Sequence, residues 1–324
     1  GLTREHITAL AEAGFNRASL GVQDFDLKVQ QAVNRVHDEA LVSEVLTGVR
    51  EAGFKSLNLD LIYGLPHQTV TSFENTLQTI LGFEPDRLAV FSYAHVPWMK
   101  SHMKLIKEED LPAPEEKLDM LKLIIETLTS NGYEYIGMDH FAKESDELTQ
   151  AQRSGTLQRN FQGYSTRAGA DIYAMGMSSI SQLPFCYAQH TKDLPSYYKA
   201  IDDQRLPVVK GIALTEDDAL RRDVIMRLMC DMALNYEGLS NRLGIDFQSR
   251  FSDEIAQMSP FEEDGLIEKS PSGITVTQQG RLFIRKIAMT FDAEWVREGQ
   301  GHAPARAFRG RDRLGEGFMA IGPV

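Results

Sequence analysis

The residues best suited to chemistry lie where short apolar segments end. Asp60 stands in a segment of alternating residue type, Leu57 to Tyr63, so in a strand it shares one face with Asn58 while the leucines occupy the other. A carboxylate within a strand must be paired or bound, because burying it alone costs several kcal/mol. Two interpretations remain open: a structural ion pair, or a carboxylate that binds the amino or hydroxyl groups of a polar ligand.

Other groups occupy comparable positions at the ends of predicted elements. Gln23 follows a first short strand-like segment, and the pair Ala94-His95 follows a third. Arg35 closes a predicted helix, where a cation interacts favourably with the helix dipole. A guanidinium near the same edge of the fold can instead bind a ligand carboxylate through two parallel hydrogen bonds. Both interpretations of Arg35 are open at this point.

An acid beside an imidazole follows a later predicted strand, in Met138-Asp139-His140-Phe141. Such a pair suits proton transfer, because histidine titrates near neutral pH. Adjacent residues of a strand point to opposite faces, so a structural role for each is an open alternative. The residues alone identify no catalytic group.

The cysteine content limits the metal chemistry of these residues. The chain has two cysteines, Cys186 and Cys230, and neither belongs to a CxxC or CxxxCxxC motif. We interpret them as two buried thiols in a reducing compartment, which favours a cytoplasmic location. The sequence therefore predicts no metal ligands in this chain, either for an iron–sulfur cluster or for a cysteine-rich zinc site.

The elements that position these groups alternate between strand and helix. Strands are predicted at 17–22, 56–63 and 86–93, and helices at 4–13, 27–35, 39–52 and 70–82. This alternation predicts parallel βαβ units with functional residues at the carboxyl ends of the strands. Because three parallel strands cannot close a barrel, we expect the back half of a (β/α) barrel over residues 1–97. A complete small open sheet is the alternative.

Beyond residue 97 the alternation ends. A helix at 114–131, a short strand at 132–137 and Gly-rich, aromatic strands and loops predict a mixed α+β segment over 98–210 that extends the barrel and covers the site. A helix at 215–233, a β-hairpin formed by 264–267 and 273–277, and a helix at 278–291 predict a mainly helical, winged-helix-like C-terminal domain over 211–293. The Gly- and Arg-rich stretch 294–324 is typical of a disordered tail.

Composition excludes several classes of protein. Apolar residues make up 42% and charged residues 25%, which is typical of a globular protein. No apolar run is long enough for a membrane span, and the first residues have no signal-peptide pattern. The net charge of −12 argues against nucleic acid as a partner, as does the acidic start of the helix that a winged-helix DNA reader would use. Since the first residue is Gly1, we expect a fragment of a longer protein.

Six segments, in this order, resemble a known family: residues 14–25, 58–66, 91–97, 137–142, 160–164 and 221–225. Among them are Gly-Val-Gln-Asp-Phe, Leu-Ile-Tyr-Gly-Leu-Pro and Asn-Phe-Gln-Gly-Tyr. They are similar to the radical S-adenosylmethionine (SAM) family of oxygen-independent coproporphyrinogen III oxidases, the anaerobic decarboxylases of haem synthesis. The resemblance extends to about residue 293.

The resemblance implies specific roles. Three residues would bind the SAM molecule at a [4Fe–4S] cluster: Gln23, Arg35 and Asp60. Two further SAM contacts would be Ala94 and Ile180, and two residues near a second SAM molecule would be Phe161 and Gln162. The family's cluster-binding cysteine motif has no counterpart in these residues, so we expect it upstream of Gly1.

The family reaction uses a SAM-derived radical to convert two propionates of coproporphyrinogen III to vinyl groups, with loss of carbon dioxide, giving protoporphyrinogen IX. The resemblance implies an electron donor such as flavodoxin or ferredoxin, a monomer, and neither nucleic acid nor membrane as partner. Two alternatives remain. One is a haem chaperone on the same scaffold, although such relatives tend to have His where this chain has Tyr63. The other is an inactive fragment.

Overall fold

The computed structural model describes residues 2–293. The chain divides between Gln150 and Ala151 into two compact units. The tail predicted at 294–324 lies outside the described residues. Within the described part of the chain, every helix is too short or too polar to cross a membrane.

The first unit contains the predicted helices and strands in the predicted order. Its helices are α1 (Arg4–Glu12), α2 (Leu27–Ala32), α3 (Glu39–Glu51), α4 (Val70–Gly82) and α5 (Pro114–Ser130), with short 3-10 helices at Ser101–Leu105 and Glu108–Asp110. Its strands are β1 (Arg17–Gln23), β2 (Ser56–Tyr63), β3 (Arg87–Ser92), β4 (Tyr133–Gly137) and β5 (His140–Lys143). Helix α6 (Glu147–Arg153) contains the boundary between the two units.

One sheet contains all five strands of this unit, in the order β1-β2-β3-β5-β4. Strands β1, β2 and β3 are parallel, which confirms the predicted βαβ units, whereas β5 and β4 add an antiparallel pair. The sheet therefore continues beyond residue 97, into the segment expected to extend the barrel, and the compact unit ends at Gln150. The sequence did not show which strands pair there, because strand pairing across the intervening loop and α5 leaves no local pattern.

The apolar face of β2 anchors the core of this unit. Leu57, Leu59 and Leu61 are at most 3% exposed, and the helices that cover them contribute buried side chains such as Leu46 and Phe73. The residues between the leucines are only half-buried. The alternation of residue type in β2 therefore separates a helix-covered face from a polar face.

Helix α2 is shorter than predicted. It ends at Ala32, and Asn34 adopts a left-handed conformation with φ 53°. The Arg35 N–H then bonds the carbonyl oxygen of Gln30, which closes the turn after the helix. Arg35 consequently lies beyond the helix and does not cap its dipole, contrary to that interpretation of the sequence.

The second unit contains three small antiparallel sheets. Its strands are β6 (Gln158–Asn160), β7 (Gly163–Ser165), β8 (Ile180–Leu183), β9 (Cys186–His190), β10 (Val208–Ala213), β11 (Ala233–Asn235), β12 (Ile267–Ser270) and β13 (Gly273–Val276). They pair as β6-β7, β10-β9-β8 and β11-β13-β12. The helices are α7 (Leu194–Asp202), α8 (Glu216–Asp231), α9 (Tyr236–Leu243), α10 (Phe247–Arg250), α11 (Ser252–Gln257), α12 (Ser259–Glu263) and α13 (Ile284–Ala288), with 3-10 helices at Gly280–Phe283 and Met289–Phe291.

The winged-helix-like arrangement after α8 differs from the prediction in detail. The first hairpin strand begins at Ile267 rather than at 264, and β11 adds a third strand. The predicted helix at 278–291 is a succession of 3-10, α and 3-10 turns. The short helices α9 to α12 were not predicted, because they are only four to eight residues long and their local periodicity is correspondingly weak.

Charged residues connect β1, β3 and the start of α6. Arg87 pairs through Nε with Asp146 and through Nη2 with Glu147, at 2.8 Å each, and Glu147 also pairs with Arg17. The Arg87 and Asp146 side chains are 14% and 5% exposed. Because Arg87 and Asp146 are both largely buried, removing either side chain leaves the other as a buried charge without its partner.

We expect Arg87→Met to destabilise the protein by about 3–5 kcal/mol, because it leaves the buried Asp146 carboxylate without its cation. The control is Lys122→Met, which removes an exposed pair with Asp119 whose side chains are 58% and 59% exposed and should cost less than about 1 kcal/mol. Urea unfolding measures both. Equal small losses would show that the Arg87 network contributes little to the folded state.

Candidate functional site

A β-bulge ends β1 and sets the direction of Gln23. Gly21 pairs with Asp60 and Gln23 pairs with Leu61, so Val22 is the extra residue. Gln23 has φ 68°, and a bond of 2.9 Å from the Asp24 N–H to the Val22 carbonyl oxygen closes a tight turn around it. The Gln23 Oε1 atom is buried and has no hydrogen-bond partner among residues 2–293. A strained residue with an unsatisfied buried acceptor is a candidate ligand contact.

Gly21 makes room for two side chains above β1. A Cβ atom at this position would lie 2.6 Å from Gln23 Nε2 and 2.9 Å from Arg35 Nη2, closer than side chains allow. Arg35 Nη2 donates a 2.8 Å hydrogen bond to the Gly21 carbonyl oxygen. Gly21 was not predicted from the sequence as a site residue, although a glycine inside a strand is a known signal of a bulge or of close backbone approach.

Asp60 lies on the neighbouring strand, on the polar face of β2. Asn58 Nδ2 donates to Asp60 Oδ1 at 2.6 Å and to Ser19 Oγ at 2.9 Å. Burial raises the pKa of Asp60, while hydrogen bonds from Asn58 and Ser19 and the charge of Arg35 act in the opposite direction. No described residue forms an ion pair with Asp60, so the structural ion pair considered from the sequence is not formed.

The strand register places His140 on the same face as Asp60. Gly21 pairs with Asp60, Asp60 with Ala89, and Ala89 with His140, so these residues form a row across four strands. Two strand spacings separate Asp60 from His140, which is about 10 Å. The His140 ring contacts Phe91 edge-on at 6.0 Å. Only a small Ala89 side chain stands between the carboxylate and the imidazole in this row.

Ala94 and His95 lie just beyond the carboxyl end of β3. The Tyr93 N–H donates to the Tyr63 carbonyl oxygen at 2.8 Å, and Lys117 Nζ donates to the Tyr93 carbonyl oxygen at 2.9 Å. These two bonds fix the chain immediately before the exposed Ala94. His95 Nδ1 is 3.3 Å from the Tyr93 hydroxyl. Ala94 is therefore at the same edge of the sheet as Gln23, since both follow the ends of parallel strands.

The other three predicted residues belong to the second unit. Phe161 and Gln162 form the turn of the β6–β7 hairpin, and the Phe161 ring contacts Tyr187 of β9 edge-on at 5.1 Å. Gln162 is exposed. Ile180 is half-buried and opens β8, where it pairs with Gln189. The structure thus brings Gln23, Arg35 and Asp60 together in the first unit. Phe161 and Gln162 lie on the β6–β7 turn of the second unit, and Ile180 lies on β8.

Neither cysteine is part of a metal-binding cluster within the described residues. Cys186 is half-buried on β9 and Cys230 is buried on α8. Burial raises the pKa of Cys230 to about 12, so its thiol is protonated at neutral pH.

Comparison with known proteins identifies relatives across most of the chain. Residues 1–80 match the radical SAM superfamily, and residues 214–283 match the HemN C-terminal domain. The oxygen-independent coproporphyrinogen III oxidase of Escherichia coli is 48% identical over 87% of this chain. That of Thermostichus vulcanus is 46% identical over 91% of this chain and 90% of its own length. The solved structure of the E. coli enzyme (HemN), described as a radical SAM enzyme, superimposes with a TM-score of 0.87 at 47% identity, covering 90% of this chain and 67% of that one.

The chain spans less than two thirds of some of these relatives. The aligned region is 62% of the E. coli protein and 63% of the Synechocystis protein. The aligned region includes residues of both compact units. The roles of individual residues remain predictions at this point.

We expect Gln23→Gly to leave the free energy of unfolding unchanged or to raise it by about 0.5–1 kcal/mol. Glycine removes the cost of a left-handed conformation, about 1–2 kcal/mol, and loses part of that gain to unfolded-state entropy. Gln204→Gly is the matched control, since Gln204 has φ 55° and lies exposed beyond α7. A loss above about 1 kcal/mol at Gln23 alone, by denaturant titration, would show that Gln23 serves stability rather than a ligand.

Proposed function

The chain belongs to the oxygen-independent coproporphyrinogen III oxidase family, and on that basis we propose that it takes part in the oxidative decarboxylation of coproporphyrinogen III to protoporphyrinogen IX. We propose that SAM binds at the edge of the sheet where β1 and β2 end. SAM, when bound and reductively cleaved, supplies the radical that removes a hydrogen atom from a propionate side chain. The observation that carries the proposal is the buried, unsatisfied Gln23 Oε1, on a side chain that lies with Arg35 above Gly21, the strand partner of Asp60.

The polar groups of SAM have suitable partners at this edge. Arg35 is exposed and uses Nη2 to hold the Gly21 carbonyl oxygen, which leaves other guanidinium N–H groups for a carboxylate. Asp60 accepts from Asn58 through Oδ1, and a carboxylate has lone pairs for further hydrogen bonds from an amine or a ribose hydroxyl. Gln23 Oε1, which has no hydrogen-bond partner among residues 2–293, can accept a hydrogen bond from the ligand. The three side chains therefore orient a zwitterionic ligand through contacts of different chemical type.

The family also implies a [4Fe–4S] cluster, and the residues of this chain do not fit it. Such a cluster takes thiolate ligands, whereas the sequence has two cysteines and the buried Cys230 thiol stays protonated at neutral pH. We therefore assign no cluster ligand and derive no step through the cluster. The part of the reaction that these residues support is the binding of SAM and of the tetrapyrrole.

Within that part, the protein's task is to position the reacting groups and to exclude water. We propose that Phe161 and Gln162 lie near a second SAM molecule, and that Ala94 and Ile180 make further SAM contacts. The support is the match of these residues to positions of the family, together with the half-buried Phe161 ring, which contacts Tyr187 edge-on. We assign His140 no catalytic role.

The remaining partners are also proposals. We propose a small electron carrier such as ferredoxin or flavodoxin as the donor, a monomer as the working state, and the cytoplasm as the location. The net charge of −12 supports the view that nucleic acid is not a partner.

The proposed activity is tested with the full-length product, meaning the complete product of the gene that encodes this chain, reconstituted with iron and sulfide under anaerobic conditions. Supplied with SAM and a reductant, it should release carbon dioxide from coproporphyrinogen III. Tight stoichiometric haem binding without carbon dioxide release would instead identify a haem chaperone. The 324 residues alone, treated in the same way, should retain less iron than a four-iron cluster requires, as iron analysis would show.

We expect Arg35→Ala to weaken SAM binding to that product by about 1.5–3 kcal/mol, the usual contribution of a hydrogen bond to a charged group. The fold should survive, since Arg35 is exposed. Arg50→Ala is the matched control, because the exposed Arg50 also donates to backbone carbonyl oxygens, those of Phe83 and Glu84, away from this edge. Calorimetry measures SAM affinity for each variant. Equal affinity for wild type and Arg35→Ala would remove Arg35 from the site.

A further inference from the structure

A buried carboxylate lies directly beyond the bulge that carries Gln23. Asp24 is 1% exposed. Its Oδ1 accepts hydrogen bonds from the Asp26 N–H at 2.6 Å and from the Thr76 hydroxyl at 3.1 Å, and its Oδ2 accepts from Gln68 Nε2. The carboxylate thus acts only as an acceptor, and its donors come from the loop after β1, the loop after β2 and helix α4.

The Gln68 amide has a single possible orientation. Its Oε1 accepts from the N–H groups of Gly64 and Leu65, at 2.6 and 3.1 Å, while its Nε2 donates to the Ile62 carbonyl oxygen at 2.9 Å and to Asp24. Exchanging oxygen and nitrogen would break all four bonds. Gln68, 2% exposed, therefore fastens the carboxyl end of β2 to the residue that follows Gln23.

The main chain of Asp24 is held from both sides as well. Gln30 Nε2 donates to the Asp24 carbonyl oxygen at 2.9 Å. The Asp24 N–H closes the turn around Gln23 by bonding the Val22 carbonyl oxygen. Every polar group of Asp24 is consequently used to fix the backbone at this position.

We propose that Asp24 is a positioning residue for Gln23: its carboxylate holds the bulge in the left-handed turn that presents the Gln23 amide to the ligand. This inference rests on the proposed SAM site. The turn is unfavourable for a glutamine backbone, so it persists only where its surroundings over-determine it. The Asp24 network supplies that constraint and joins it to the end of β2, the strand that carries Asp60.

Asp24→Asn tests the proposal with almost no change in shape. In one rotamer the new amide NH2 faces Gln68 Nε2, and in the other it faces the Asp26 N–H and the Thr76 hydroxyl; a donor then meets a donor in either case. We expect SAM to bind to the reconstituted full-length product roughly tenfold more weakly or worse, measured by calorimetry well below the unfolding temperature of the variant.

The control is Asp86→Asn. Asp86 Oδ2 accepts the Leu57 N–H at 2.8 Å and so joins two strands at the opposite end of β2. This variant should lose stability and keep its SAM affinity. Equal weakening in Asp24→Asn and Asp86→Asn would reduce Asp24 to a general structural residue and overturn the inference.

A double variant, Asp24→Asn with Gln23→Gly, tests whether Asp24 acts on SAM binding through Gln23. If Asp24 acts through Gln23, Asp24→Asn should weaken SAM binding about twofold or less in the Gln23→Gly background. A full loss in that background overturns the inference and leaves the SAM site standing. If Asp24→Asn does not fold, Thr76→Val takes its place: it removes a hydroxyl that donates to Asp24 and accepts the Phe25 N–H, and it leaves Gln23, Arg35 and Asp60 unchanged. A several-fold weaker SAM affinity supports the proposal, and an unchanged affinity contradicts it. A wild-type product that does not bind SAM would overturn the proposed function itself.

Discussion

The candidate site depends on the two different faces of β2. Alternation places its leucines in a dry core beneath α3 and α4, and places Asn58, Asp60 and Ile62 on the other face, where they remain half-buried. Burying the apolar face stabilises the strand in one register only, because a shift by one residue would exchange the two faces. The position of the Asp60 carboxylate is thus determined by hydrophobic packing on the opposite side of the sheet.

The polar face is organised by hydrogen bonds in place of ion pairs. Arg35 bonds a backbone carbonyl oxygen and Asp60 bonds the Asn58 amide, so the guanidinium and the carboxylate are neighbours without neutralising each other. The same holds for Asp24: burial raises its pKa, and its bonds from Gln68, Asp26 and Thr76 act against that rise. Arg35 and Asp60, which are held but not neutralised, retain their capacity for a charged ligand, whereas the Asp24 carboxylate is fully used by its donors. The buried ion pairs around Arg87 lie at the other end of the strands.

Much of the first unit was predictable, because its signals are local. The three parallel strands and their helices follow from periodicity and from breakers such as Gly53, which has φ 83° immediately after α3. The antiparallel addition of β4 and β5 was not predictable, because pairing between β3 and β5 joins residues some fifty positions apart. The end of α2 was predicted wrongly, because apolar periodicity continues past Ala32, whereas Asn34 takes the left-handed conformation that ends the helix.

The site itself was predictable only in part. Residue type and position in a predicted strand singled out Gln23 and Asp60, a position at the end of a predicted helix singled out Arg35, and the resemblance gave each a role. Gly21, Asp24 and Gln68 were missed, because their importance comes from what they contact. No sequence window shows that Gln68 reaches Asp24, or that a Cβ at Gly21 would meet two side chains. Residues that bind a ligand can be recognised from their side-chain chemistry. Residues that position the binding residues can be recognised only once the structure shows which loops are in contact. A site on parallel strand ends needs both kinds, since its contacts come from separate loops that local structure alone does not align.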